Sequence, residues 1–119
     1  MSKSLKKTLL YSTIILIILT ILHFRLGLFN RFNIITAYWD KWNGNERIII
    51  YGELAPDDNL KSDIAPQFGF NYERHEDCTV TIPFVSGVKD YNAVMASAIS
   101  ARLGNDWNKI LEKEIARAK

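Results

Sequence analysis

The sequence lacks the features that hold small domains together without a large core. Its 119 residues include one cysteine, Cys78, so an internal disulfide is excluded and the redox state of the compartment is left open. It also lacks internal repeats and low-complexity segments. With 48% hydrophobic and 24% charged residues, the composition is typical of a folded protein and excludes a disordered one.

Acidic residues are absent from positions 1–24, which carry Lys3, Lys6 and Lys7. The residues that follow carry 12 Lys or Arg and 13 Asp or Glu, a balance of −1. The formal net charge of +2 therefore arises at the N-terminus, and the rest of the chain is nearly neutral. A nearly neutral domain offers no strong positive field, which argues against nucleic acid as a partner.

Residues 8–24 form a long apolar run without a side chain that is charged at neutral pH. As a helix, these residues span about 26 Å, near the lower limit for a hydrocarbon core of roughly 30 Å. Arg25 can extend its guanidinium to the headgroups, which allows the span to continue to residue 29. The sequence therefore predicts a basic tail at 1–7, a transmembrane anchor at 8–29 and an extramembrane domain at 30–119. The predicted anchor residues, which make the lipid bilayer a partner, are Leu9, Leu10, Ile14, Ile15, Leu16, Ile17, Ile18, Leu19, Ile21 and Leu22.

Two other interpretations of the apolar run are weaker. A cleaved signal peptide requires a small-residue cleavage site, and residues 25–32 do not supply one. A helix that is apolar on all sides needs a large core to cover it, and a domain of this size is too small. Basic residues are slightly more numerous before the span than just after it, which favours a cytoplasmic N-terminus and a periplasmic or otherwise extracytoplasmic domain.

The first half of the predicted domain contains one strand between two helices. Residues 30–44, with Asn30 as the N-cap, show apolar side chains at helical spacing. We expect the aromatic side chains of this helix to pack on the domain's own sheet, with the membrane surface as the alternative. Residues 46–54 predict a strand buried on both faces, followed by a polar turn at 55–62. Asp63 is then expected to cap a short helix that Gly69 ends.

The second half is predicted to contain one more strand region and two helices. Residues 70–82 indicate one strand with a bulged middle or two short strands, followed by a loop at 83–89. Asp90 is expected to cap a helix with Tyr91, Met95 and Ile99 on its apolar face. Asn105 or Asp106 is expected to start a last helix, whose inward side chains are Trp107, Ile110, Leu111 and Ile115.

The predicted fold class is α/β: one N-terminal transmembrane helix followed by a small α-β-α-β-α-α domain with a short, incomplete sheet. Two strands make a poor sheet by themselves. Either a strand has been missed, or the sheet is completed by another copy of the chain or by another protein.

Reactive side chains are densest at His75 and Cys78, but their pattern predicts no site. A structural zinc ion needs four ligands, and the other histidine, His23, falls within the predicted span. On one strand, His75 and Cys78 would also point to opposite faces. A catalytic thiol needs a base and an orienting group, and no third group is present. The sequence therefore predicts no catalytic, metal-binding or cofactor-binding residue.

Two groups of side chains are candidates for interaction with a partner. Trp39 and Trp42 lie closest to the predicted membrane, and tryptophan is enriched at binding hot spots. Glu53, Asp57 and Asp58 follow the first predicted strand, where α/β proteins place many ligand sites. A core position for the tryptophans and a polar turn for the acids are the structural alternatives.

Several short motifs lie within residues 46–107. They are Tyr51-Gly52, Phe68-Gly69-Phe70, Cys78-Thr79-Val80, Tyr91-Asn92, Leu103-Gly104 and Asp106-Trp107. In these motifs and in its basic start and single span, the chain resembles small, single-pass, membrane-anchored bacterial proteins that have a C-terminal α/β domain and no assigned function. The resemblance implies no activity and no site residues.

The leading hypothesis is a membrane-anchored, non-enzymatic interaction or accessory protein. It would dock on a membrane complex or on an extracytoplasmic protein partner, or form a homo-oligomer. One alternative is an immunity protein that neutralises a secreted toxin at the membrane. Another is a thiol-dependent or small-ligand enzyme that uses Cys78.

Overall fold

The computed structural model describes residues 2–75 and 80–119. Five helices and two strands are present in these residues, with one turn of 3₁₀ helix. In chain order they are α1 Lys3–Leu26, α2 Ile34–Trp42, β1 Arg47–Tyr51, α3 Asp58–Ile64, the 3₁₀ turn Ala65–Phe68, β2 Asn71–His75, α4 Ile82–Leu103 and α5 Trp107–Ala118. The predicted mixed α/β class and the order of helices and strands are confirmed.

Helix α1 projects from the rest of the molecule. None of its residues is buried, and its 24 residues correspond to about 36 Å of the 72 Å long axis. Inside the apolar run, the hydroxyls of Thr13 and Thr20 each donate to the carbonyl four residues earlier, at 2.8 Å, so they present no free donor. By length and composition, α1 is able to cross a membrane.

The sheet consists of two parallel strands between two helical layers. Arg47 is in register with Asn71, and Tyr51 with His75. Neighbouring residues of a strand point to opposite faces, so one face carries Ile49 and the other Ile48. Helix α4 covers the Ile49 face with α2 beside it, and α3 and α5 cover the other face.

The hydrophobic core is correspondingly divided into two clusters. The first joins α2 and α4 to β1 and consists of Phe32, Ala37, Ile49, Val88, Tyr91 and Met95. The second joins α3 and α5 to the start of β2 and the end of α4, and consists of Ile64, Ala65, Phe70, Ile99, Leu111 and Ile115. The two clusters are adjacent. Ile48 packs against both of them, and Ile99 is a residue of α4 that belongs to the second cluster.

Two arginines fasten the ends of the sheet. At the start of the strands, Arg102 donates to the Glu46 carboxylate at 2.6 and 2.9 Å and to the Phe68 carbonyl at 2.7 Å. At the end of the strands, Arg74 donates to the Asp58 carboxylate at 2.9 Å and to the Gly52 carbonyl. The segments that enter both strands and the loop that leaves β1 are therefore tied to side chains that lie far away in the sequence.

Helix α1 meets the domain at a contact between two glycines. Gly27 ends α1 at a φ of 61°, and a Cβ on it would lie 2.9 Å from the Cα of Gly87 and closer still to the carbonyl oxygen of Pro83. A Cβ on Gly87 would in turn collide with the carbonyl oxygen of Phe32. Backbones approach this closely only where neither residue has a side chain, so the start of α4 is packed directly against the end of α1.

Three predicted boundaries are wrong. Helix α2 begins at Ile34, because Asn33 and not Asn30 forms the N-cap and completes a capping box with Thr36. Helix α3 begins at Asp58, inside the segment predicted to be a turn, and Pro66 lies in the separate 3₁₀ turn that ends at Gly69.

The third correction concerns the loop predicted at 83–89, which is the first part of α4. Thr81 accepts from the N–H of Phe84 at 3.2 Å, and Pro83 lies in the first turn, where its missing N–H does no harm. Asp90 is therefore inside the helix, and Ile82 belongs to it and not to a strand. The middle of the predicted strand region, at 76–79, is outside the described residues.

We predict that Gly27→Ala destabilises the full-length protein more than Gly44→Ala does. Both glycines have positive φ, 61° and 76°, and a side chain there costs about 1–2 kcal/mol. A Cβ on Gly27 would also collide with backbone atoms, whereas nothing lies within 4 Å of a Cβ on Gly44. Overpacking adds roughly 1–3 kcal/mol, measurable by denaturant unfolding in detergent micelles. Equal effects of the two changes would contradict the close contact.

Candidate interaction site

An aromatic stripe covers the outer face of α2. It consists of Ile35, Tyr38, Trp39 and Trp42, which are 64%, 56%, 66% and 87% exposed. Their spacing of three and four residues places all four on one side of the helix. Scattered exposed apolar residues are ordinary, but four large ones in one stripe mark an interaction surface. This stripe is called the α2 aromatic face below.

The expectation that the aromatic side chains of residues 30–44 pack on the sheet holds for Phe32, which lies in the first core cluster, and is wrong for Tyr38, Trp39 and Trp42. The inner face of α2 is instead formed by a small residue and a charged one, the buried Ala37 and Asp40. Ala37 allows α2 to approach α4 closely, which leaves no room on that side for the large rings. The exposed positions of Trp39 and Trp42 leave both side chains free for a partner.

The buried carboxylate of Asp40 anchors the inner face of α2. Its carboxylate accepts from the Tyr91 hydroxyl at 2.6 Å and from the Arg31 guanidinium at 3.3 Å. Burial and the neighbouring Asp40 carboxylate raise the pKa of Tyr91 well above its ordinary value of 10.0. Tyr91 therefore stays protonated and remains a donor to Asp40 at every physiological pH.

The connection between α1 and α2 is short and internally bonded. The Asn30 N–H donates to the Gly27 carbonyl at 3.0 Å. The Asn33 side-chain amide donates to the carbonyls of Leu28 and Asn30 at 3.1 and 2.9 Å. Since the same Asn33 side chain caps α2, the first turn of α2 is tied to the connection that follows α1.

The outer edge of β1 is closed by a side chain from α4. The N–H of Ile49 donates to Asn92 Oδ1 at 2.8 Å, and Asn92 Nδ2 donates to the carbonyl of Ile49 at 2.9 Å. The amide group of Asn92 thus makes the same pair of hydrogen bonds that a neighbouring strand would make.

The outer edge of β2 is different. The Asn71 N–H donates to the Glu46 carbonyl, so alternate residues of β2 direct their backbone groups to β1 and the residues between them direct theirs outward. The outward residues are Tyr72 and Arg74. Within residues 2–75 and 80–119, no further strand pairs with β2, which leaves a row of backbone donors and acceptors at this edge.

The acidic candidates after β1 are only partly available to a partner. Asp58 is buried, and its carboxylate accepts from the N–H of Ala55 at 2.8 Å and from Arg74. Asp57 forms an ion pair with Lys119 at 3.0 Å, and Glu53 is exposed. The acids therefore organise the loop after β1, and their predicted role in interaction stays a prediction.

Three further candidates involve reactive or aromatic side chains: a metal-binding group, Cys78 and Trp107. In the part of the chain that the structure describes, no three His, Cys, Asp or Glu side chains are grouped to hold a metal ion. Cys78 is outside this part, and the His75 ring lies 4.3 Å from the Phe84 ring. Trp107 is a structural residue, since it packs edge-on against Phe70 and donates to the Ser100 hydroxyl at 2.9 Å.

Comparison of the chain with protein-family models, with curated proteins and with solved structures gave no match. Inferences about function therefore rest on the two surfaces described above, the α2 aromatic face and the outer edge of β2.

We predict that Tyr91→Phe costs about 1.5–3 kcal/mol, the usual value of a hydrogen bond to a charged group. Tyr72→Phe is the matched control, because Tyr72 is half-buried and its hydroxyl makes no hydrogen bond to a described residue. Denaturant unfolding should show the larger loss for Tyr91→Phe. Equal losses would show that the Asp40 contact contributes nothing.

The same contact predicts a loss of stability in alkali. The pKa of Tyr91 is raised in the folded state. The contribution of the Tyr91 hydroxyl to the free energy of unfolding is therefore complete below the pKa of tyrosine in the unfolded chain, near 10, and is lost as the pH rises above it. The free energy of unfolding of the wild type should therefore fall above about pH 10. The Tyr91→Phe variant should fall less steeply, and parallel curves would contradict the assignment.

Proposed function

We propose that this protein is a membrane-anchored, non-enzymatic accessory protein that binds another protein through its incomplete sheet. The observation that carries the proposal is the unequal treatment of the two sheet edges. Asn92 closes the edge of β1 with a pair of hydrogen bonds, whereas Tyr72 and Arg74 direct backbone groups outward from β2. An extended segment of a partner fits such an edge by adding a third strand.

The size of the sheet supports this proposal. Two-stranded sheets are marginal by themselves, and an open edge is usually blunted when it has no partner. The outward positions of β2 carry a tyrosine that packs on the second core cluster and an arginine that is bonded to Asp58. Both side chains are held by the domain, so the edge is rigid and its backbone groups are the part offered to a partner.

The location of the domain follows from α1, which we propose spans the membrane. Lys3, Lys6 and Lys7 precede the apolar run, which favours a cytoplasmic N-terminus and an extracytoplasmic domain. A partner is then a protein of the same membrane or one outside it. Protease added to intact cells tests the orientation, since it reaches the domain only if the domain is outside.

The edge is tested by comparing Tyr72→Pro with Tyr72→Ala. Both changes remove the tyrosine side chain, but only proline removes the outward N–H and places a ring at the edge. Pairing with β1 uses the neighbouring residues and survives in both variants. Full-length protein, crosslinked in its membrane and gently solubilised, should retain a partner or a second copy as wild type and as Tyr72→Ala.

Tyr72→Pro should lose that partner while keeping the circular dichroism spectrum and unfolding midpoint of Tyr72→Ala. Two results would contradict the proposal. One is a strictly monomeric wild type that crosslinks to no protein. The other is a partner that both variants retain equally, which would place the binding surface elsewhere.

A further inference from the structure

We infer that the α2 aromatic face is a lipid-binding surface that lies in the headgroup region of the bilayer beside the anchor. The inference rests on the proposed membrane-spanning role of α1, but it is independent of the edge of β2. It assigns to Ile35, Tyr38, Trp39 and Trp42 one occupant, the membrane interface.

The first observation is that α2 has a fixed place next to α1. Asn33 bonds to the carbonyls of Leu28 and Asn30 while it caps α2, and the Gly27–Gly87 contact holds α4 against the end of α1. The nine residues of α2 measure about 14 Å, so α2 extends only that far from its fixed start. The domain cannot swing this face away from the anchor without breaking these contacts.

The second observation is that exposed apolar residues also occur at the junction between α1 and the domain. Phe24, in the last turns of α1, and Phe29, in the connection, are both exposed. Ile82 is exposed at the start of α4, next to Pro83, whose carbonyl contacts Gly27. The α2 aromatic face is therefore accompanied by exposed apolar residues at the end of α1, in the connection and at the start of α4.

The third observation is the chemistry of the face. Tryptophan and tyrosine have an apolar body and a polar tip, which is the combination enriched where acyl chains meet headgroups. Residues 25–43 contain one acidic residue, Asp40, and its side chain is buried against Tyr91 and Arg31. The exposed charges of this region, on Arg25, Arg31 and Lys41, are all positive and suit anionic headgroups.

Fluorescence of single-tryptophan variants of the full-length protein tests the inference in phosphatidylcholine–phosphatidylglycerol vesicles. Trp39→Phe with Trp107→Phe leaves Trp42 as the reporter. Trp39→Phe with Trp42→Phe leaves Trp107, a control inside the domain. Lipids that carry a nitroxide near the headgroup should quench Trp42 and leave Trp107 unaffected. Aqueous acrylamide should quench Trp42 less in vesicles than in the unfolded chain.

Two results would overturn the inference. If acrylamide reaches Trp42 freely in the vesicles and lipid nitroxides do not quench it, the face points into water. If neither quencher reaches Trp42, the face is covered by protein, and the occupant is another copy of the chain.

A third reporter separates failure of this inference from failure of the proposed anchor. Leu16→Trp, in a chain with the three native tryptophans changed to Phe, places the fluorophore in the middle of α1. Quenching of this reporter by nitroxides deep in the acyl chains, together with an unquenched Trp42, overturns the lipid-binding face and leaves the anchor intact. An unquenched Leu16→Trp reporter shows that α1 is not in the bilayer and overturns both.

Discussion

The contact between Gly27 and Gly87 is the constraint on which the arrangement of this molecule depends. It brings the start of α4 against the end of α1 at a distance that excludes any side chain, and the carbonyl of Phe32 fills the remaining space. Because α4 also carries Tyr91, Asn92 and Arg102, the helix that is packed on α1 positions α2, closes the edge of β1 and fastens the start of both strands. An apolar helix packed on its domain in this way is held in place and is not a flexible tether.

The rigid junction gives the two surfaces of the domain different roles. The α2 aromatic face is held at the end of α1 and is suited to lipid, while the outer edge of β2 offers backbone hydrogen bonds to a protein. Asp40 links the two requirements, since its ion pair and its hydrogen bond to Tyr91 keep the small inner face of α2 on α4 and the aromatic face outward. As proposed, the domain would be held at a fixed height above the bilayer and would bind a partner at the edge of β2.

Much of the fold was predictable from the sequence, because hydrophobic periodicity reports burial directly. The apolar faces of α4 and α5 are largely as predicted, with Tyr91, Met95, Ile99, Leu111 and Ile115 buried, although Ile110 is exposed.

Hydrophobic periodicity gave the wrong result for α2, where an aromatic stripe at helical spacing faces outward and Asp40 faces inward. The pattern is the same for a stripe on lipid and a stripe on a core. Only the buried partner of Asp40, Tyr91, which lies far away in the sequence, distinguishes them. Asn92 was missed for the same reason, since an amide that replaces a strand leaves no local pattern. The start of α4 carried a usable signal, because Thr81 and Pro83 together are typical of a helix N-terminus.

The central claim is that α1 and the domain form one rigid body. It is tested most directly by the distance between spin labels at Ser12→Cys on α1 and Lys109→Cys on α5, in a Cys78→Ser chain reconstituted in lipid nanodiscs. Both positions are exposed, so the labels do not disturb packing. The account predicts one narrow distribution of distances between the two labels. A broad distribution, as expected of a domain that swings on a flexible linker, would contradict it.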